Sequence, residues 1–264
     1  MNVYHAIVLG IVQGLSEFLP ISSSAHLLLV PYFFKWQDPG LSFDVALHWG
    51  TLLAVLVVFW KDYWRYARAF FSTLYKKDSW HDADSKLAWF LIIACIPGAL
   101  FGMLFDKQVE TIFRSPLITV FTLAGFGFIL WLADKKAVHK EKLEGLTWPK
   151  ALMIGLSQAV AIVPGVSRSG ATITAALLSK LDRQAAVRFS FLLSGPIVFG
   201  AGLVALRHAS FNASFLWGFL AAAVSGFVSI KFLLKYITTH SFNMFVWYRY
   251  FLAATVLFFI IFKF

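Results

Sequence analysis

The sequence contains little charge and almost no cysteine. Only 14% of its 264 residues are Asp, Glu, Lys or Arg, whereas soluble domains average about a quarter. Its single cysteine, Cys95, lies in an apolar run, which excludes an intrachain disulfide and a cysteine-based metal site. No polar stretch of the size of a soluble domain separates the apolar segments. We therefore predict one integral membrane domain over residues 1–264.

The N-terminus lacks the basic region of a signal peptide. Met1 to Gly10 contain no Lys or Arg and run into sequence rich in Gly and Ser, so we expect insertion to rely on internal segments. The net charge of +10 could suggest nucleic acid. However, the basic residues mostly lie in short loops between apolar segments, as is typical of membrane proteins, so we expect no nucleic-acid partner.

Apolar residues make up 59% of the chain and are arranged in long runs. A helix needs about 20 residues to cross roughly 30 Å of hydrocarbon. Uncharged runs of that length are Leu87 to Phe105, Ser115 to Ala133, Phe189 to Leu206 and Phe211 to Ile230. Two further runs, near Leu41 to Trp60 and Phe242 to Phe262, contain Asp44 and His48, or Arg249, and we expect those groups to face protein or water. The sequence thus predicts six transmembrane helices.

Two other segments, about Val3 to Phe34 and Pro149 to Lys180, are apolar at both ends and polar in the middle. Pro, Gly and Ser at their centres disfavour a straight helix, and irregular backbone at membrane depth requires a protein or water environment. We interpret both segments as re-entrant helical hairpins. The predicted fold is all-α, with six transmembrane helices plus two hairpins.

The two halves of the chain begin alike. Gly10-Ile-Val-Gln13 leads to Pro20, and Gly155-Leu-Ser-Gln158 leads to Pro164, which suggests internal repeats over about 1–134 and 149–264. Because each half has an odd number of spans, the second copy is predicted to be inverted, as in proteins whose broken helices meet near the midplane.

Loop charge predicts the orientation. One side receives only five basic residues, namely Lys35, Lys107, Arg114, Arg207 and Lys263, whereas the other receives all the rest apart from Arg168 and Arg249. The positive-inside rule makes the richer side cytoplasmic and leaves both termini outside. The first hairpin then enters from outside and the second from inside.

The first polar motif reads Gln13-Gly-Leu-Ser-Glu17-Phe-Leu-Pro20-Ile-Ser22-Ser23-Ser24-Ala-His26. In a helix, Gln13 and Glu17 share one face, so the carboxylate gains an amide neighbour. After Pro20, three hydroxyls and the free N–H groups of a new half-helix predict an anion cradle, because helix N-termini favour phosphate.

The second polar motif reads Pro164-Gly165-Val166-Ser167-Arg168-Ser169-Gly170-Ala171-Thr172. Arg168 is permanently charged, and its planar fork can hold two phosphate oxygens at once. A phosphorylated ligand, with Glu17 as the resting partner, would explain an arginine at this depth.

The residues of both motifs also have structural interpretations. Ser and Gly often serve close helix packing in membranes, and a Glu–Arg pair can be purely structural. The density of polar groups at two similar breaks favours a functional site, since ionisable residues at membrane depth are functional candidates. We assign Gln13 and His48 supporting positions around it.

At these residues the chain resembles the undecaprenyl pyrophosphate phosphatase family, the bacterial bacitracin-resistance proteins that recycle the polyprenyl carrier of cell-wall synthesis. The two motifs bear the likeness, which extends to Leu47-His48-Trp49-Gly50-Thr51, chain length and span order. The resemblance implies hydrolysis of undecaprenyl diphosphate to the monophosphate in the bacterial cytoplasmic membrane. It also implies a pocket open to the outer face and a divalent cation, Mg²⁺ or Ca²⁺.

The resemblance further implies roles for Glu17, Ser23, His26, Ser167 and Arg168. Many family members have Glu where this chain has Gln13. An amide neither accepts a proton nor neutralises a cation as a carboxylate does, so we expect Glu17 to be the metal ligand.

Phosphoryl transfer requires charge stabilisation and an in-line nucleophile. We expect Glu17, Ser23, His26 and Arg168 to be catalytic. The expected diphosphate-binding residues are Ser22, Ser24, Ser167, Arg168, Ser169, Gly170 and Thr172. The nucleophile remains open between Ser23 activated by His26 or Glu17, His26 itself, and water. A lipid-phosphate transporter of inverted-repeat architecture is the alternative function, and a homodimer is left open.

Overall fold

The computed structural model describes residues 2–37, 40–76, 79–80, 82–105, 112–137, 141–205 and 213–262. Regular structure in these ranges is helical, apart from one isolated bridge between Glu141 and Leu181. The ten α-helices found there are α1 (Val3–Phe18), α2 (Ser23–Phe34), α3 (Leu41–Tyr75), α4 (Ala83–Leu104), α5 (Pro116–Lys136), α6 (Trp148–Val160), α7 (Arg168–Leu178), α8 (Arg183–Ala205), α9 (Ala213–Tyr236) and α10 (Asn243–Phe262). A 3-10 turn, Leu143–Gly145, precedes α6.

Six of these helices, α3, α4, α5, α8, α9 and α10, are long and apolar enough to cross a membrane. This confirms the six predicted spans and a multi-pass membrane protein. Some predictions fall outside the described residues: the span ends at Leu206 and Phe211, and the basic residues Lys77, Lys107, Lys140, Arg207 and Lys263.

The largest difference in bounds is at α3, which continues past the predicted end at Trp60 to Tyr75. Its 35 residues rise about 52 Å, more than the hydrocarbon layer requires. The helix kinks at Phe59 (φ −109°, ψ 19°) and then becomes polar. Asp62 in this extension accepts two 2.8 Å bonds from Arg188 of α8, so the charged part of α3 is held by a neighbouring helix.

The four shorter helices coincide with the two polar-interrupted segments. The second helix of each pair begins after a serine with positive φ, Ser22 (φ 74°) before α2 and Ser167 (φ 75°) before α7. Such a φ is uncommon outside glycine. Each hydroxyl caps its helix by accepting a bond from the N–H three residues later, at 3.4 Å from Ala25 and 3.0 Å from Gly170. The two breaks therefore have the same local geometry.

Small residues allow α1 and α6 to pack closely against long helices. A Cβ on Gly14 of α1 would lie 2.0 Å from Ser225 Oγ on α9, and a Cβ on Gly155 of α6 would lie 2.6 Å from the carbonyl oxygen of Ala94 on α4. Each short helix thus packs against a span from the opposite half of the chain. These contacts bring the turns at residues 19–22 and 161–167 together.

Candidate active site

The Glu17 carboxylate is the meeting point of both polar motifs. Its Oε1 atom accepts a 2.9 Å bond from Nη2 of Arg168, which begins α7. Its Oε2 atom accepts bonds from Gln13 Nε2 at 3.1 Å and Ser23 Oγ at 2.5 Å, and His48 Nε2 lies 3.5 Å from it. The Glu17 side chain is only 5% exposed, so these groups provide its environment.

Ser23 is placed for activation by Glu17. It is the first residue of α2, where the N–H groups of the first turn have no partners within the helix. A carboxylate that accepts the bond of a hydroxyl at 2.5 Å is within reach to remove its proton. The pair therefore has the geometry of a nucleophile with its general base.

Arg168 has one satisfied and one unsatisfied nitrogen. Nη2 bonds to Glu17, whereas Nη1 is buried and has no hydrogen-bond partner in the described part of the chain. Buried donors are normally bonded, and a guanidinium pairs readily with phosphate oxygens. A cationic donor without a partner, on the side chain that pairs with Glu17, is suited to an anionic ligand.

The two turns also contact each other directly. The N–H of Gly165 donates to Ser22 Oγ at 3.1 Å, and the Ser169 hydroxyl donates to the carbonyl of Leu19 at 3.1 Å. Gly165 has φ 91°, and a Cβ there would lie 2.0 Å from Thr122 Oγ1, so glycine is required at this position. The first turns of α2 and α7 consequently form one site.

His26 is bonded away from Ser23. Its Nδ1 donates to the carbonyl of Ser22 at 2.7 Å, which leaves Nε2 of a neutral ring to accept from the Tyr248 hydroxyl at 2.7 Å. The rings of His26 and Tyr248 are also parallel, with an interplanar angle of 7°. Both ring nitrogens are therefore occupied, and the carboxylate of Glu17 is the group that accepts the bond of the Ser23 hydroxyl.

The remaining predicted residues have different surroundings. The Ser24 hydroxyl lies 3.2 Å from that of Ser22, and the Ser167 hydroxyl lies 3.2 Å from that of Ser169. Thr172 is fully buried, and its hydroxyl lies 2.6 Å from Ser190 Oγ, so it is bonded within the protein. In His48, Nδ1 donates to the carbonyl of Asp44 at 2.7 Å, which directs Nε2 towards Glu17.

A cation site can be tested against the same atoms. No cluster of three or more His, Cys, Asp or Glu suited to a metal occurs among the described residues. Magnesium, however, is often bound by one or two carboxylates together with substrate phosphates. Glu17 supplies one carboxylate, and the buried Gln13 Oε1 is an oxygen with no hydrogen-bond partner in the described ranges. The donor set fits a cation shared with a phosphorylated ligand.

Sequence reasoning did not identify Tyr248 and Arg249 as part of the site. Arg249 is fully buried and donates to main-chain carbonyls of both turns, including Pro20 and Val166. The sequence signal for Arg249 was its position as a charged residue inside an apolar run. Its partners could not be read from the sequence, because any residue can supply a backbone carbonyl.

Comparison with known proteins covers almost the whole chain. The sequence profile of the family described as "Bacitracin resistance protein BacA" matches residues 6–255. An undecaprenyl-diphosphatase of Moorella thermoacetica is 51% identical over 259 residues, 97% of each chain. Undecaprenyl-diphosphatases of Caldicellulosiruptor bescii (50% over 263 residues, 97% of each chain) and Pelotomaculum thermopropionicum (48% over 252 residues, 94% of this chain and 93% of the relative) are similar to it as well.

Proposed function

This chain belongs to the bacitracin resistance protein BacA family, and from that membership we propose that it hydrolyses undecaprenyl diphosphate to undecaprenyl monophosphate and phosphate. The observation that supports this activity most strongly is the Ser23–Glu17 pair beside the unsatisfied Nη1 atom of Arg168. A nucleophile, its base and a cationic donor are the groups that phosphoryl transfer requires. Binding alone requires only the donor.

The reaction proceeds through Ser23. Glu17 accepts the hydroxyl proton as Ser23 Oγ attacks the terminal phosphorus, and the bond from that phosphorus to the bridging oxygen breaks. The lipid monophosphate leaves with the bridging oxygen, whose charge Arg168 stabilises. Water then attacks the phosphoserine, and the bond from phosphorus to Ser23 Oγ breaks. Glu17 returns its proton to Ser23 Oγ, and both protons of the water leave with the released phosphate, which restores Ser23 and the Glu17 carboxylate.

Both helix N-termini contribute to binding of the diphosphate. The first-turn N–H groups of α2 and α7 that do not donate to the Ser22 and Ser167 caps can bond phosphate oxygens, and helix N-termini favour negative charge. Ser24, Ser167 and Ser169 add hydroxyls beside them. Thr172 supports the site from the protein interior and does not bind the diphosphate directly, because its hydroxyl bonds with that of Ser190.

Glu17 and the Gln13 amide oxygen would hold a divalent cation, Mg²⁺ or Ca²⁺. A bound cation supplies neutralisation of charge on the phosphate oxygens. Gln13 also donates to Glu17 and fixes the orientation of the carboxylate that faces Ser23. The amide thus positions the base whether or not it is a ligand.

The α1–α2 and α6–α7 pairs act as re-entrant hairpins of an inverted repeat over about 1–134 and 149–264, in a single domain. Three features support this arrangement: helices too short to span, matching serine caps at Ser22 and Ser167, and reciprocal packing of α1 on α9 and α6 on α4. The termini and the pocket face outwards. This orientation is supported by the loop charges.

Phosphate release in detergent tests the proposal. Purified protein supplied with undecaprenyl diphosphate and Mg²⁺ is expected to release phosphate far faster than a double variant that carries both Ser23→Ala and Glu17→Gln. No transmembrane gradient exists in detergent, so a transporter of lipid phosphate would bind the substrate without releasing phosphate. That result would replace hydrolysis with the transport alternative.

A further inference from the structure

Arg249 on α10 lies behind the site and holds its two turns together. Its Nη1 atom donates to the carbonyl of Pro20, in the first turn, at 3.2 Å, and to that of Val166, in the second, at 3.1 Å. Nη2 donates to the carbonyl of Gly165 at 2.8 Å. One guanidinium therefore bridges the backbones that lead into Ser22 and Ser167.

The same side chain is anchored to α5. Nη2 also donates to the carbonyl of Thr122 at 3.1 Å, and Nε donates to that of Leu123 at 3.0 Å. All these acceptors are neutral carbonyls, and no carboxylate pairs with Arg249 within the described ranges. A buried cation without a counter-ion is costly, which makes a purely space-filling role a poor explanation for it.

Carbonyl contacts set the direction of the peptide groups. Because a trans peptide is planar, the Val166 carbonyl that points to Arg249 leaves the Ser167 N–H pointing away from it. The residues that follow are Ser167 and Arg168, whose placement determines whether Arg168 reaches Glu17. A small displacement of either turn would separate groups that must meet within bonding distance.

We propose that Arg249 is a positioning residue of the active site, which fixes the Ser23 turn against the Arg168 turn. Its hydrogen bonds to the turns go to backbone carbonyls rather than to predicted catalytic side chains, so it acts through the backbone. Its positive charge additionally lies behind both helix N-termini and favours an anionic ligand there. The inference rests on the proposed hydrolysis.

Arg249→Lys is the most direct test, since it keeps the charge but loses the planar fork. In detergent with Mg²⁺, we expect kcat for phosphate release to fall about 10²-fold, because misplacing reacting groups by about 1 Å has effects of that size. KM should stay within about threefold of wild type, since the groups that bind substrate are all retained.

Two further variants separate positioning from general stability. Val256→Ala removes buried apolar contacts from the same helix, in a cluster whose members lie on α2, α5 and α10, outside residues 19–22 and 161–167. It should lower the melting temperature and leave kcat within about twofold of wild type. Gly127→Val retains Arg249. A Cβ at this position would lie in van der Waals contact with Arg249, 3.4 Å from its Nε, so the two further methyl groups of valine crowd the guanidinium and kcat should fall about tenfold.

The outcomes are distinguishable. Wild-type protein that releases no phosphate would remove the proposed function itself. Wild-type turnover together with an Arg249→Lys kcat within about threefold of it would overturn the positioning role alone. If Arg249→Lys cannot be purified as folded protein, Gly127→Val decides: a reduced kcat at unchanged KM supports the inference, and a wild-type kcat contradicts it.

Discussion

Glu17 and Arg168 form a 2.9 Å ion pair between residues that are 151 positions apart. Glu17 lies in the last turn of the first helix of one pair, and Arg168 begins the second helix of the other. The contact joins the two polar motifs into a single site. A substrate diphosphate that binds Nη1 of Arg168 can therefore lie next to the carboxylate that we propose as the base for Ser23.

Arg168→Lys should lower kcat/KM about 10²- to 10³-fold. An ammonium group cannot bond Glu17 and a phosphate oxygen with the fixed fork of a guanidinium. Steady-state phosphate release measures the effect. Arg183→Lys is the matched control, because Arg183 pairs with Asp134 at 2.6 Å, away from the turns, and should keep activity within about threefold.

Gln13→Glu should make the protein bind its cation more tightly. A second carboxylate would replace an amide that lies 3.1 Å from Glu17, and two like charges at that separation favour a shared cation. After removal of metal with EDTA, we expect wild-type activity to return on addition of Mg²⁺. The half-activating Mg²⁺ concentration should be at least about tenfold lower for the variant. An unchanged concentration would show that residue 13 does not contact the cation.

Gly14→Ala should destabilise the packing of α1 on α9 by about 1–3 kcal/mol. The new methyl group would lie 2.0 Å from Ser225 Oγ and 2.5 Å from the carbonyl of Ala222, so one helix must move. Thermal unfolding in detergent measures the loss. Gly125→Ala, which meets open space, is the control and should unfold at the wild-type temperature or above it.

Ser24→Cys should be labelled by a membrane-impermeant maleimide from outside intact cells. The background is Cys95→Ser, which removes the chain's single cysteine. Lys35→Cys and Lys235→Cys are exposed reporters for the predicted outer and inner sides. If Ser24→Cys is labelled only after the cells are opened, as expected for Lys235→Cys, the pocket faces inwards and the proposed orientation is wrong.

Much of the fold could be predicted because hydropathy acts locally. Runs such as Leu87 to Phe105 need only length and composition to be recognised, and α4 occupies almost the same residues. The end of α3 was missed because charges such as Asp62 indicated the end of a span. These charges belong to a helix that continues beyond the membrane-spanning part, and Arg188 on α8 stabilises Asp62 there.

The sequence was sufficient to propose the groups of the candidate site, but not the contacts that connect them. Glu17 and Arg168 were expected to be partners because an unpaired charge at membrane depth is costly. The choice of Glu17 over His26 as the base of Ser23 depends on the Tyr248 hydroxyl, which is 222 residues from His26. Likewise, the bonds of Arg249 run to backbone carbonyls, and local sequence patterns do not specify such distant contacts.

Trapping the phosphoenzyme tests the central claim, that Ser23 activated by Glu17 is the nucleophile. Wild-type protein would be mixed with undecaprenyl diphosphate labelled at its terminal phosphate, quenched within one turnover and mapped by mass spectrometry, with Ser23→Ala as the control. We predict label on Ser23 in the wild type and none in the control. Label on His26, or turnover of Ser23→Ala at the wild-type rate, would contradict this account.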